Sequence, residues 1–286
     1  LAPLAGAVAA ETDLPRLATY LPGGVFDNRR MERFVRKTLE HNRQPNSFRL
    51  LKEGRGRSLY VVATSVDTGE EVVFGPDMRN DVSISEAVQA STALPLFYRP
   101  AQIHGEYYLD GAVRRTASVT FAARRHADLI ICYNPFRPFH YSETAQIARN
   151  QQSLGDMGIV WILNQAFRSM LHSRLELGMR ILARDSSFKG DAILIEPRET
   201  DAEFFAINPV AFWHRAVSAE HGFATTKGYV EEHHDELTAL FRRHGIETDI
   251  AHLRASGETL AEARIDDRAV LDLLEAPSVP RRLRVR

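Results

Sequence analysis

The chain has 286 residues, 44% hydrophobic and 26% charged, enough to bury a sizeable core in one large or two small domains. Thirty-six basic against thirty-seven acidic side chains leave a formal net charge of −1, so no global field draws nucleic acid. The single cysteine, Cys132, excludes an internal disulfide and a cysteine-built zinc centre, and no apolar run reaches the ~18 residues of a membrane-spanning helix.

The opening Leu1–Ala10 is small and apolar with no basic stretch ahead of it, unlike a signal peptide, and the chain reads as starting inside a longer one. Gly23-Gly24 marks a turn. Asp27-Asn28 can cap a helix from about Arg30 to His41, with Met31, Phe34, Val35 and Leu39 on its apolar face. A polar loop containing Gly54 and Gly56 leads to the apolar run Leu59–Ala63, a turn at Asp67-Thr68-Gly69 and a second strand, Glu71–Phe74, which together predict a hairpin.

Ser83-Ile84-Ser85-Glu86 fits the capping-box pattern and starts a small-residue helix that Pro95 ends. Tyr107–Leu109 reads as a short strand stopping at Asp110-Gly111. A helix over Ser118–Arg125 then precedes Leu129–Tyr133, whose unbroken apolar character suits a strand covered on both faces. Recurrence of strand, helix and strand argues for a layered α/β sheet.

From Gly158 to Ala183 the pattern is helical. Val160, Leu163, Phe167, Met170, Leu171, Leu175, Ile181 and Leu182 make one broad apolar stripe, with Arg168, Arg174, Glu176 and Arg180 mostly off it. That stripe reads first as a core helix, and second as the wall of an acyl groove or an interfacial helix. Ala192–Ile195 is a further strand. Residues 209–243 look helical with a break near Gly222, and Leu260–Leu274 suggests one more helix before the arginines at 281, 282, 284 and 286.

Three segments, taken together, resemble the patatin-like phospholipase family. They are Leu59–Glu70 with Val72-Val73-Phe74, then Ile84–Phe97, then Gly105–Ala112. Phe167–Arg174 further resembles a bacterial branch of that family, and the resemblance spans roughly Gly23 to Tyr229. It implies an α/β layered fold with a central, mostly parallel sheet flanked by helices. Residues 1–235 would form the carboxy-terminal portion of the catalytic domain, and 236–286 a helical extension with a basic tail.

An isolated Asp-Gly pair is a turn signal, because glycine tolerates positive φ. The resemblance assigns Asp110 a different role, the general base of a Ser-Asp dyad, with Gly111 and Ala112 completing the motif that supports it. A serine hydroxyl becomes a competent nucleophile only when an adjacent base takes its proton, and burial would have to raise the basicity of an ordinary carboxylate. Where the family carries Asn and Pro after its acid-Gly-Ala triplet, this chain has Thr116 and Ala117.

The family's serine lies in a Gly-x-Ser-x-Gly elbow behind a glycine-rich oxyanion loop, and neither motif occurs in the 286 residues. Gln151-Gln152-Ser153-Leu154-Gly155 is the nearest imitation and follows Asp110 instead of preceding it; Gly54-Arg55-Gly56-Arg57 has no strand before it, and Ser91 reads as a packing or capping residue. The nucleophile, the oxyanion loop and the first strand are therefore expected upstream of Leu1, and this polypeptide alone is expected to be inactive.

Other residues draw structural readings. His233 and His234 point about 100° apart on a helix and suit a solvated face better than one metal ion. His172 and Arg174 could border an acyl site or fill a core role, and Asp128 is a loop residue. The resemblance implies no cofactor or metal. It implies a phospholipid or other fatty-acyl ester as substrate; the near-neutral charge argues against nucleic acid, and the lack of disulfides and of a visible export signal points to a cytoplasmic setting with peripheral membrane contact. The competing reading is a non-catalytic relative that binds lipid or a partner.

Overall fold

The computed structural model describes residues 24, 26–95, 97–142, 153–206, 215–249, 251 and 253–255. Outside them lie the apolar opening, Gly23, Leu96, Gln151-Gln152, residues 209–214, the helix expected over Leu260–Leu274 and the terminal arginines. The chain is mixed α/β, with helices and sheets and a parallel strand pair. It divides between Thr116 and Ala117 into two compact units. Position 235 falls inside a helix, His234–Arg243, and most of the 236–286 extension lies outside the described residues.

In the first unit, α1 (Arg29–His41) starts at Asn28. Asn28 makes no side-chain cap. Its buried amide instead donates to the carbonyl of Gln89 at 2.8 Å and to Thr92 Oγ1 at 3.1 Å. The polar stretch expected as a loop forms α2 (Phe48–Arg55), which buries Phe48 and ends on Gly56, whose φ of 65° fits a left-handed cap.

The hairpin forms from β1 (Val61–Ser65) and β2 (Glu71–Phe74), with Val62 opposite Val73. Helix α3 (Ile84–Ser91) carries the capping box, Ser83 Oγ accepting from the Glu86 amide while the Glu86 carboxylate accepts from the Ser83 amide. Two further strands follow, β3 (Ala101–Ile103) and β4 (Glu106–Asp110). The antiparallel sheet runs β2-β1-β4-β3. The alanines of α3, Ala87 and Ala90, are fully buried with Ala63, Phe74 and Tyr108 in one core. Small side chains there let helix and sheet approach closely, and close packing carries the dispersion energy of the core.

In the second unit, α4 (Val119–Arg124) leads to β5 (Leu129–Tyr133). A long helix, α5 (Ile159–Arg184), precedes β6 (Asp191–Ile195), which pairs in parallel with β5. Strand β5 is not covered on both faces. Ile130 and Cys132 are buried with Val119 of α4 and Leu175 and Leu182 of α5, whereas Ile131 and Tyr133, on the opposite face by the period of two, are exposed.

The expected stripe of α5 separates likewise. Phe167, Leu171, Leu175 and Leu182 are buried, but Val160, Leu163, Met170 and Ile181 are exposed. Arg168, expected off the core, is buried: its guanidinium donates to the carbonyls of Pro135 (2.9 Å) and Arg137 (3.2 Å) and lies over the rings of Phe136, Phe204 and Phe205. After the short α6 (Ala202–Ala206), α7 (Arg215–Glu232) runs through Gly222 without a break. The interruption comes at His233, before α8 (His234–Arg243).

Candidate active site around Asp110

Asp110 is the last residue of β4, and its backbone is held from two sides. It pairs with Ala63 of β1, its carbonyl accepts from Thr64 Oγ1 at 3.1 Å, and its amide donates to the carbonyl of Ala93 at 3.0 Å, just past the end of α3. Strand and helix end together fix the Cα position. The side chain then caps the single 3-10 turn Gly111–Val113, with Oδ1 accepting from the Ala112 amide at 2.8 Å.

Among the described residues, no hydrogen bond reaches Oδ2. Burial pushes the carboxyl up from the ordinary aspartate value to about 6, against the opposing pull of the Ala112 N–H. The group is therefore a stronger base than a solvated aspartate, oriented through one oxygen and open at the other. That combination suits proton abstraction.

Gly111 is required for space. A Cβ there would sit 2.3 Å from the carbonyl oxygen of Val62, so any side chain would push the turn off β1. Ala112 supplies the amide that orients the carboxylate. Its carbonyl accepts from Thr116 Oγ1 at 3.3 Å, and the Gly111 carbonyl accepts from the amides of Arg114 and Arg115, so the turn is tied down at both ends. Thr116 itself is buried. After Thr116 and Ala117, the pair that stands where the family carries Asn-Pro, the chain continues with Ser118; Ala117 and Ser118 adopt φ values of 60° and 44°, left-handed without glycine.

The remaining candidates sit at structural positions. Ser153 Oγ caps a 3-10 turn, Leu154–Met157, by accepting from the Gly155 amide at 3.1 Å, and Ser91 ends α3. Asp128 lies between α4 and β5, its carbonyl accepting from the Asp191 amide. His233 stacks on Tyr229 with ring centroids 4.4 Å apart. Among the described residues no three His, Cys, Asp or Glu side chains gather around one point as a metal site would require.

Sequence reasoning did not anticipate a polar cluster at the carboxyl ends of the parallel strands. Asn134, just after β5, donates to Glu196 Oε1 at 2.6 Å, and His172 Nδ1 lies 3.0 Å from the same oxygen. Among the described residues of the second unit are a cavity of about 710 Å³ lined by His172 and Glu176 and one of about 690 Å³ lined by Glu196 and Tyr229; Asp110 lines neither. The signal in sequence was one polar residue directly after each apolar strand, Asn134 and Glu196.

Residues 8–123 match the patatin-like phospholipase family model. The matched stretch contains Asp110, Gly111 and Ala112 together with the three segments that carried the resemblance. The stretch Phe167–Arg174 lies beyond the matched residues.

Proposed function

We propose that the chain is part of a lipid acyl hydrolase of phospholipase A type in which Asp110 is the general base of a Ser-Asp dyad. The match of residues 8–123 to the patatin-like phospholipase family supports the reaction class. The observation that carries the residue assignment is the carboxylate itself: half-buried at a strand end, fixed through Oδ1 by Ala112 and without a hydrogen bond at Oδ2 among the described residues.

In this reading Oδ2 accepts the proton of a serine hydroxyl as Oγ attacks the acyl carbonyl. The tetrahedral adduct collapses to an acyl-serine, and the departing alcohol takes the proton from Asp110. Water then attacks the acyl-serine, giving up a proton to the same oxygen; the adduct collapses, the serine Oγ leaves and takes that proton back from Asp110, and the free acid departs. The serine and the oxyanion donors come from a segment preceding these 286 residues. Without them the polypeptide is inactive, since oxyanion donors alone are worth ~2.7–4 kcal/mol of barrier. The substrate is a phospholipid or another fatty-acyl ester, met from the cytoplasmic side at a membrane surface.

The test is active-site labelling of the protein made from the complete gene with a fluorophosphonate. A phosphonylated serine in a Gly-x-Ser-x-Gly before Leu1 supports the dyad. Absence of labelling favours the non-catalytic, lipid-binding reading, and a label on a serine within the 286 residues overturns the assignment.

A further inference from the structure

Helix α5 carries two apolar faces, and among the described residues only one is buried. Phe167, Leu171, Leu175 and Leu182 are buried within the second unit. Ile159, Leu163, Met170, Leu177 and Ile181, at intervals of four, seven, seven and four residues, form a second line along the helix. They are 65%, 39%, 57%, 57% and 52% exposed, values that set them apart from scattered surface apolar residues because they are contiguous. Val160 and Ile162 widen the line at its amino-terminal end, and the helix is about 39 Å long.

The charges of α5 decide what fits this face. Its first turns, Ile159–Ala166, contain no charged residue, and Glu176 is the only acid in the helix. Glu176 already faces Arg180 at 3.2 Å and His172 at 3.4 Å. Arg174, Arg180 and Arg184 flank the carboxy-terminal half of the apolar line. A second copy is a poor occupant. Antiparallel pairing sets the arginines against uncharged turns, and parallel pairing sets arginine beside arginine. An anionic bilayer supplies both requirements, an acyl region for the apolar line and phosphates for the guanidiniums.

We propose that this face of α5 docks the protein on an anionic lipid surface, with the helix lying in the plane of the interface. The proposal is independent of the Ser-Asp reading, because it concerns adsorption and not ester cleavage.

The test is flotation of the protein made from the complete gene with vesicles of equimolar phosphatidylcholine and phosphatidylglycerol. The wild type and Asp110→Asn should float equally, and added salt should weaken both. The double variant Met170→Glu, Leu177→Glu should lose at least about tenfold in partitioning. A second readout does not depend on that variant folding. A polarity-sensitive maleimide on Leu177→Cys should shift to the blue on these vesicles, while the buried Cys132, its thiol pushed up to about 11 by burial, stays unlabelled. No flotation of the wild type, an unshifted probe, or a wild-type dimer in sedimentation that the double variant dissolves would each overturn the proposal.

Discussion

The Oδ1 atom of Asp110 accepts a 2.8 Å hydrogen bond from the backbone N–H of Ala112, two residues ahead in the same turn. The contact orients the carboxyl and uses one oxygen, while burial sets its basicity. A capping bond of this kind ordinarily lowers an aspartate's pKa, but here the desolvation is larger and the net movement is upward, to about 6. A residue serving only as a turn cap would gain nothing from that burial.

This balance predicts a pH-dependent stability difference. The folded-state value of about 6 exceeds the ordinary aspartate value of 3.8, so the native chain holds the proton more tightly than the unfolded chain. Native stability from this group is fully present below pH 3.8, declines as pH rises through 6, and is level above. Asp110→Asn removes the charge. Urea unfolding should show it more stable than wild type by about 2–3 kcal/mol at pH 8, with no advantage near pH 3.5. A constant difference across this range would contradict the account.

The glycine beside it makes a steric prediction. Gly111→Ala should cost about 1–3 kcal/mol, because its Cβ meets the Val62 carbonyl, whereas Gly54→Ala, with open space around it inside α2, should be neutral or stabilising by up to about 1 kcal/mol. Melting temperatures of the pair check this directly. Equal shifts would mean that the turn can slide away from β1.

Capping of α3 reaches the site through Ala93, whose carbonyl receives the Asp110 amide. Ser83→Ala breaks the capping box and should cost about 1 kcal/mol in urea unfolding. Ser83→Thr should recover most of it. A cost confined to a few tenths would show that the Glu86 carboxylate holds the helix start alone.

In the second unit, Arg168 binds the carbonyls of Pro135 and Arg137 with one guanidinium nitrogen while lying over three phenylalanine rings. Burial lowers its pKa to about 10. Arg168→Met keeps the volume but leaves both carbonyls short of a donor, and should destabilise by about 2–4 kcal/mol. Arg168→Lys should recover little, since an ammonium cannot reproduce the planar stacking. Full recovery by lysine in chemical unfolding would assign the effect to charge alone.

Elements whose information is local were legible in the sequence. The hairpin follows from apolar runs around Asp67-Thr68-Gly69, and α3 follows from Ser83 and Glu86. The loop expected at α2 is helical because Phe48 and Leu51 meet the core of the first unit, a gain that its polar composition conceals. Periodicity found the apolar residues of α5 but could not say which face would meet β5 and β6, and it placed Arg168 outside because the carbonyls it binds come from residues 135 and 137. The place of Asp110 at the end of a short strand was legible from Tyr107–Leu109 and the Asp-Gly pair. The carboxyl's orientation by Ala112 and its raised pKa were not, since both depend on how β1, α3 and the following turn enclose it.

The most direct measurement is hydrolysis of a fatty-acyl ester by the protein made from the complete gene, wild type against Asp110→Asn, both confirmed folded. The account predicts a wild-type rate rising with pH through about 6 as the base ionises, and a loss of about a thousandfold or more in the variant. Undiminished hydrolysis by Asp110→Asn would contradict it and remove Asp110 from the chemistry.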